Sequence, residues 1–288
     1  MNSPRDLRRR IKSISGTAQI TKAMQMVAAS KMRKAQQAAL DSRPFARLLY
    51  RIQRSATAHA HAFTHPLLDA RQVRKRAVVL IAADKGLCGA LNTNVFRVAA
   101  QFDQRSTVFI TAGRKAAQFV ARTRRKLIAD FPYGDTPRFA EARAVAALSR
   151  DLFLKGEVDE VRIVTSRFVN TLTQTPISVE LLPIGEITEV KIAGAEPEEA
   201  LAADTTEYVF EPNPNVVLSY LLPHYLNIVT YLAMVNAKAS EQSARMVSMK
   251  NATDNAETMI KDLTLEYNKL RQGSITQELL EIAGGQAN

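Results

Sequence analysis

Tryptophan is missing from these 288 residues, aromatics amount to only 6%, and glycine and proline number 11 each. That is thin for the aromatic and β-branched strands of an all-β core, and it suits helices. A single cysteine, Cys88, excludes a disulfide framework within the chain. There is no CxxC pair and no Cys/His cluster with zinc spacing. The longest uninterrupted apolar run, Ala77–Ala83, is seven residues. A transmembrane helix needs about 20, so no span is expected. The first 44 residues contain no aromatic side chain, which weakens a nucleic-acid-binding reading, because such surfaces interleave cations with stacking rings.

What is present is an ordinary globular mixture. Hydrophobic residues are 46% and charged residues 23%, which excludes wholesale disorder. The length allows one or two domains at roughly 150 residues each. Charge is unevenly placed: residues 1–76 carry 17 basic and 3 acidic side chains, a net +14, and residues 77–288 a net −3, which gives +11 for the whole chain. Such a field favours an acidic partner. Glu186–Glu211 reverses the balance with eight acids and only Lys191 basic, and reads as a solvated connector. The leading cations Arg5, Arg8, Arg9, Arg10 and Lys12 have a transit-peptide look. Their helical periodicity runs on past residue 30 and no apolar signal segment follows, so a mature, cytoplasmic start is expected.

Two heptad stripes dominate the pattern. Leu7, Ile11, Ile14, Ala18, Thr21, Gln25, Ala28, Met32, Ala35, Ala39, Ser42, Ala46 and Leu49 are spaced alternately by four and three, and ten of the thirteen are apolar. About 50 residues of helix would span roughly 75 Å. The second stripe runs Leu218, Leu221, Tyr225, Ile228, Leu232, Val235, Ala239, Gln242, Met246, Met249, Thr253, Ala256, Ile260, Leu263, Tyr267 and Leu270, with fourteen of sixteen apolar. Asn213 and Pro214 supply a cap and a first-turn proline, and Pro223 is expected to kink the helix near its start. No globular core needs helices this long, so the two stripes predict an antiparallel coiled coil.

Between them the period changes. Ala77–Ala83, Ser106–Thr111, Val158–Ser166 and Pro176–Pro183 read as strands. Residues 90–104, the stretch from Gly113 to about Thr123, and residues 139–155 read as helices. Strands alternating with helices predict an open, largely parallel α/β sheet. The expected organisation is an N-terminal coiled-coil helix (1–60), a basic connector (61–76), a central α/β domain (77–185), an acidic connector (186–212) and a C-terminal coiled-coil helix (213–288).

Sites for chemistry are sparse. Ile81–Asn94 has the strand, glycine turn and helix start that can hold a phosphate, but neither GxGxxG nor GxxxxGK[ST] occurs in it. It is expected to be a structural turn, with Cys88 as a small buried side chain. His59, His61 and His65 lack a nearby carboxylate or thiol and are not expected to bind metal. Arg122, Arg124, Arg125 and Lys126 are expected to form a solvated helix end. Paired carboxylates, HExxH and GxSxG are not found, so neither a catalytic residue nor a cofactor or metal site is assigned.

The helices carry a resemblance. ITKAMQMVAASKMRKAQ (Ile20–Gln36), SEQSARMVSMKNATDNA (Ser240–Ala256), YNKLRQGSITQELLEIAGG (Tyr267–Gly285) and DKGLCGALN (Asp84–Asn92) resemble the signatures of the gamma subunit of the rotary F-type ATP synthase. They occur in that family's order at both ends and in the middle, while 93–200 matches by position alone. The resemblance implies a non-catalytic central rotor shaft of a proton-transporting ATP synthase. Three alpha and three beta subunits would surround the coiled coil, and the epsilon subunit and the ring of c subunits would lie at its foot. Neither nucleic acid nor a small-molecule substrate is implied, and the place would be peripheral, on the cytoplasmic face of a bacterial inner membrane.

By position in the matched motifs, Lys22, Met24, Lys31, Arg33 and Lys34 on the first helix would contact the beta-subunit ring, and so would Arg245, Arg271, Gln272 and Thr276 on the second. Cations suit acidic loops there, since arginine can hold a carboxylate bidentately. The physics is compatible. One charge falling through 100 mV yields about 2.3 kcal/mol, so several must be summed per ATP, and a shaft that carries this work must be long and stiff; shifting a catalytic subunit from one conformer to another takes about 5.5 kcal/mol of differential contact. The chain departs from the family at Gln19, where a basic residue is common, and at Gly273, where alanine is common. The extra thiol pair of light-regulated plant relatives is absent. The rival readings are a nucleic-acid-binding coiled coil, prompted by the basic N-terminal quarter, and a nucleotide-binding α/β enzyme, which lacks its phosphate motif.

Overall fold

The computed structural model describes residues 3–59, 64–184, 211 and 213–285, without the side chains of 42–43, 45–59, 277–278 and 281–285. The acidic connector, but for Glu211, lies outside them.

Both long helices form. α1 is Pro4–His59, 56 residues. Ser3 opens it: its hydroxyl oxygen accepts the Asp6 backbone N–H at 3.2 Å, and Pro4 takes the first turn, where an N–H is not needed. The long C-terminal helix is Pro214–Gly285, 72 residues, or roughly 108 Å at 1.5 Å per residue. Asn213 caps it as expected, its Oδ1 accepting the Val216 N–H at 3.0 Å. The helix continues unbroken through Pro223; Leu222 and Leu226 nearby, each 1% exposed, anchor the segment in the core.

The structure falls into two compact units, Met1–Ala28 with Arg245–Asn288, and Ala29–Ala244. The first is the coiled coil. On α1 the heptad positions Leu7, Ala18, Thr21 and Ala28 are buried and Ile11, Ile14 and Gln25 half-buried, while Arg8, Lys12 and Lys22 are exposed. Across the seam the Thr21 and Thr253 hydroxyls share a buried 2.7 Å hydrogen bond. In an antiparallel register that pair sets Leu7, fourteen residues back, opposite Tyr267, and Ser3 opposite Arg271. In that register the described residues of α1 reach along the C-terminal helix as far as Arg271.

The second unit is a doubly wound α/β domain. Its elements are β1 (Arg76–Ile81), α2 (Leu91–Ala100), β2 (Thr107–Ala112), α3 (Arg114–Arg122), β3 (Lys126–Phe131), α4 (Phe139–Leu154), β4 (Glu160–Phe168) and β5 (Gln174–Leu182), which makes the C-terminal helix α5. The sheet order is β3-β2-β1-β4-β5. β1, β2, β3 and β4 run parallel and β5 antiparallel to β4. β1 lies at the centre, Val79 facing Ile110 on one side and Ile163 on the other. Because strand side chains alternate, Ala77, Val79 and Ile81 meet α4 and α5 on one face, while Val78 and Leu80 meet α2 and α3 on the other. Burial on both faces explains why β1 reads as a continuous apolar run.

β3 corrects the sequence reading, which placed Lys126 at a solvated helix end and assigned nothing to the residues that follow. It is an edge strand whose Leu127 and Ile128 stay 41% and 37% exposed, so it lacks the buried alternation that marks a half-buried strand. The cations ahead of it are not all solvated either. Arg125 donates to the carbonyls of Phe102 at 2.8 Å and Ala100 at 3.0 Å, satisfying orphan acceptors where α2 ends. Arg71, ahead of β1, is tied down as well: it donates to the Phe153 carbonyl at 3.0 Å and lies over that ring.

By length and composition α5 is apolar enough to cross a bilayer. That apolar surface is used in the domain core instead, where Leu222, Leu226, Val229, Leu232, Ala233 and Met234 are all buried.

Candidate functional site

Open α/β sheets take ligands in a crevice beyond the carboxyl ends of the strands, where the strand order reverses. Here that point lies between β1 and β4, and the glycine loop after β1 borders it. The loop is built as structure. Asn92 Oδ1 accepts the Ala83 N–H at 3.2 Å. Asp84 Oδ1 accepts the Arg114 N–H at 3.0 Å, at the start of α3. Gly113 has φ +96, and a Cβ there would stand 2.1 Å from the Ala82 carbonyl oxygen, so only glycine allows β2 to turn into α3 at this spot. Cys88 is buried against Ala83 and Leu91, the packing role expected of it, and its sulfur takes an N–H from Asn92 at 3.4 Å.

The crevice is filled by the chain itself. Ala244 of α5 packs on Ala83, Cys88 and Leu91 after β1. Ser240 Oγ donates to the Ser166 carbonyl of β4 at 3.4 Å. Ser243 Oγ donates to the Thr171 carbonyl in the β4–β5 turn at 2.7 Å, and Gln174 Nε2 reaches Ser243 Oγ at 3.4 Å. Residues 240–244 of α5 thus occupy the place where a nucleotide sits in ligand-binding relatives of this topology.

Beside it lies a charged cluster that the sequence reading did not find. Lys238 is 1% exposed. Its Nζ is 3.1 Å from Glu241, also buried, and 3.7 Å from Asp135. The ammonium stands 5.2 Å from the centre of the Tyr133 ring, a cation–π distance. Tyr133 is pinned in turn by its hydroxyl, which donates to the Ala82 carbonyl at 3.1 Å. Burial, and then the charges of Glu241, Asp84 and Glu141, push that phenol well above its ordinary pKa. Asp135 accepts a 2.6 Å hydrogen bond from Lys31 of α1. That bond outweighs burial and, with Lys238, Lys31 and Lys85, holds the Asp135 carboxyl below the usual range. A trace of the cluster was legible: Lys238 and Glu241, three apart, are the only Lys, Arg, Asp or Glu side chains of α5 between Pro214 and Ala244.

Across the sheet, Glu160 is buried between Arg76 of the neighbouring strand β1 and Arg162 of its own strand, with Arg162 at 2.7 Å. Burial alone would raise its carboxyl, but the two guanidiniums hold it below the usual range.

The residues expected at a partner surface are strung along two helices rather than gathered. Lys22, Arg33, Lys34, Arg271, Gln272 and Thr276 are exposed and Met24 half-buried. Lys31 is engaged by Asp135. Arg245 is 7% exposed and makes interactions inside the chain. The Thr276 hydroxyl donates to the Gln272 carbonyl at 2.9 Å within the helix. Gly273 is helical, with nothing within 4 Å of a Cβ placed on it. Of His59, His61 and His65, the last has its Nδ1 accepting the Leu67 N–H at 3.1 Å, whereas His61 and the His59 side chain lie outside the described residues. Among the described residues no group of three or more His, Cys, Asp or Glu side chains is arranged to hold a metal ion.

The comparisons agree with one another. The chain matches the ATP synthase family over residues 3–288. It is similar to the ATP synthase gamma chain of Opitutus terrae, at 46% identity over 99% of this chain and 98% of that one. It is similar to the gamma chain of Methylacidiphilum infernorum at 44% identity over 99% of each. Among solved structures it is similar to a chain in the central stalk and c-ring of the Tetrahymena thermophila mitochondrial ATP synthase, with a TM-score of 0.60, 25% identity, and coverage of 81% of this chain and 99% of that one. A chain of the Euglena gracilis mitochondrial ATP synthase shares the fold, with a TM-score of 0.66 at 20% identity, over 98% of this chain and 93% of that one.

Proposed function

The chain belongs to the ATP synthase gamma-chain family, and from that premise we propose that it is the non-catalytic central shaft of the rotor of a membrane-bound ATP synthase. Turned by the c-ring, it presents successive faces to the three beta subunits, which make ATP from ADP and phosphate. Three alpha and three beta subunits surround the coiled coil, and epsilon and the c-ring bind at the foot. The shaft lies on the cytoplasmic face of a bacterial inner membrane.

One observation carries this reading. α5 is a single helix used in two ways: its residues 222–244 are core of the α/β domain, while Met259, Leu265, Leu270, Ile275, Leu279 and Leu280 are exposed. Large apolar side chains left uncovered on a long helix suit a bearing that another protein encloses. The cationic residues Lys22, Arg33, Lys34 and Arg271, with Met24, Gln272 and Thr276, are the contacts we assign to the beta-subunit ring. Lys31 and Arg245 are assigned with them, each bound within the chain as well.

The non-catalytic part of the reading rests on the filled crevice. With 240–244 in place, a nucleotide would have to displace the shaft helix. Cys88→Ala should therefore leave ATP hydrolysis by the assembled complex within about twofold, since the change is small and the site packs rather than reacts. A loss of several orders of magnitude in a fully assembled complex would mean that the loop takes part in the chemistry. The class itself is tested by co-purification. A stable complex with alpha and beta chains is expected, and its failure to form would count against the shaft.

A further inference from the structure

We propose that Asp135 is a latch that fixes both long helices to the α/β domain, so that the domain turns the shaft without slipping on it. The inference rests on the rotor reading and adds a positioning residue to it.

The argument begins with how the domain holds α5. Most of that contact is apolar, through Leu222, Leu226, Leu232 and Met234. Apolar contact resists separation but is not directional, so it does little to stop a helix from rolling or sliding. A shaft under torque needs contacts that lose energy as soon as the register changes, and fixed charges serve that purpose. Asp135 supplies them to both helices at once. One oxygen is 2.6 Å from Lys31 of α1, and the other is 3.7 Å from Lys238 of α5. The carboxylate cannot simply follow the helices, because its loop is tied back to the sheet through Tyr133 and the Ala82 carbonyl. Lys238 cannot release to solvent, because it is buried and paired with Glu241 as well. Sheet, loop and both helices are thus joined through one side chain, two residues from a tyrosine that holds it in place.

The test compares Asp135→Asn, which keeps shape and removes charge, with Asp135→Glu, which keeps charge. Three quantities are read: amide exchange on the full chain, gradient-driven ATP synthesis by the complete complex in vesicles, and ATP hydrolysis by the detached catalytic sector. Synthesis loads the latch, whereas unloaded hydrolysis does not. For Asp135→Asn, exchange around residues 133–136 and 232–244 should run about two- to fivefold faster, the scale of a partly exposed ion pair. Synthesis should fall relative to hydrolysis, and Asp135→Glu should restore both. Unchanged exchange with an unchanged ratio of synthesis to hydrolysis would overturn the proposal. So would an equal loss of both activities, which a merely destabilised chain gives. Failure of the unmodified chain to join alpha and beta chains would sink the rotor reading instead, while the exchange measurement on the chain alone still decides for or against the latch.

Discussion

The two stretches of α5 obey one heptad rule and do opposite things with it. Over 222–244 the stripe is only part of what is buried: positions on almost every side are covered, Lys238 and Glu241 among them. Past residue 257 the stripe side chains Ile260, Leu263 and Tyr267 are half-buried and Leu270 is exposed, and beyond the α1 terminus the apolar residues Ile275, Leu279 and Leu280 stand open. Periodicity therefore sets which side chains share a line, while the covering elements decide whether that line becomes a core or a surface. A helix apolar on many sides belongs to a core, and one with uncovered apolar residues awaits a partner.

That contrast can be broken most sharply at the charged pair. Glu241→Ala leaves the buried Lys238 with Asp135 as its remaining carboxylate, at 3.7 Å. Removing one partner of a buried pair typically costs about 3–5 kcal/mol. Urea unfolding of the full chain measures this, and a change below about 1 kcal/mol would show that the pair is solvated and that the core reading of this stretch is wrong.

A matched pair of truncations comes next. Leu232→Ala, at a site 1% exposed, should cost about 2–5 kcal/mol through lost burial and the cavity left behind. Leu265→Ala, at a site 70% exposed, should stay within about 0.5 kcal/mol in the isolated chain yet weaken association with the alpha and beta chains. Equal destabilisation at the two sites would erase the distinction between core and bearing.

Acid should act on the α/β domain. Asp135, Asp159 and Glu160 all hold folded-state pKa values below the ordinary carboxylate range. Asp159 does so because its carboxylate accepts the Lys75 and Arg74 backbone N–H groups. A lowered folded-state value means that the stabilisation is complete above the unfolded pKa and lost as pH falls through the folded one. The carboxylate contribution should be flat from neutrality to about pH 5 and decline from about pH 4 downward, on top of a smaller loss that begins below about pH 6.5 because burial lowers the pKa of His65. Unfolding midpoints in urea across that range check this; a midpoint that rose on acidification would reverse the sign.

The smallest effect sharpens the comparison at the other stretch. Gly273 is helical and open on all sides, so Gly273→Ala should stabilise the tip by about 0.5–1 kcal/mol and slow amide exchange around it. Loss of helix there would mean that the tip needs glycine's freedom. Turnover by the assembled complex then separates a compliant tip, where it changes modestly, from a plain bearing, where it does not.

The long helices were legible because amphipathic repeats sustained over dozens of residues admit few other structures, and Asn213 and Pro214 mark the start of the second without tertiary help. The buried strand β1 was legible for the same reason, as an apolar run with no polar interruption. β3 was not: an edge strand makes weak demands on side chains, and the Arg125 that precedes it draws its role from α2, more than twenty residues away. The charged cluster was hidden for a related cause. Asp135 sits in a turn whose local sequence asks only for a loop, and its partners arrive from Lys31 and Lys238, about a hundred residues off on either side. Local periodicity and capping are settled by neighbours in the chain, so the sequence by itself determined the helices, the strand-helix alternation and the absence of known phosphate-loop and catalytic signatures. Which crevice is filled, which lysine is buried and which apolar stripe stays bare depend on segments far apart meeting in space, where desolvation makes each pairing matter, and only the tertiary structure decided them.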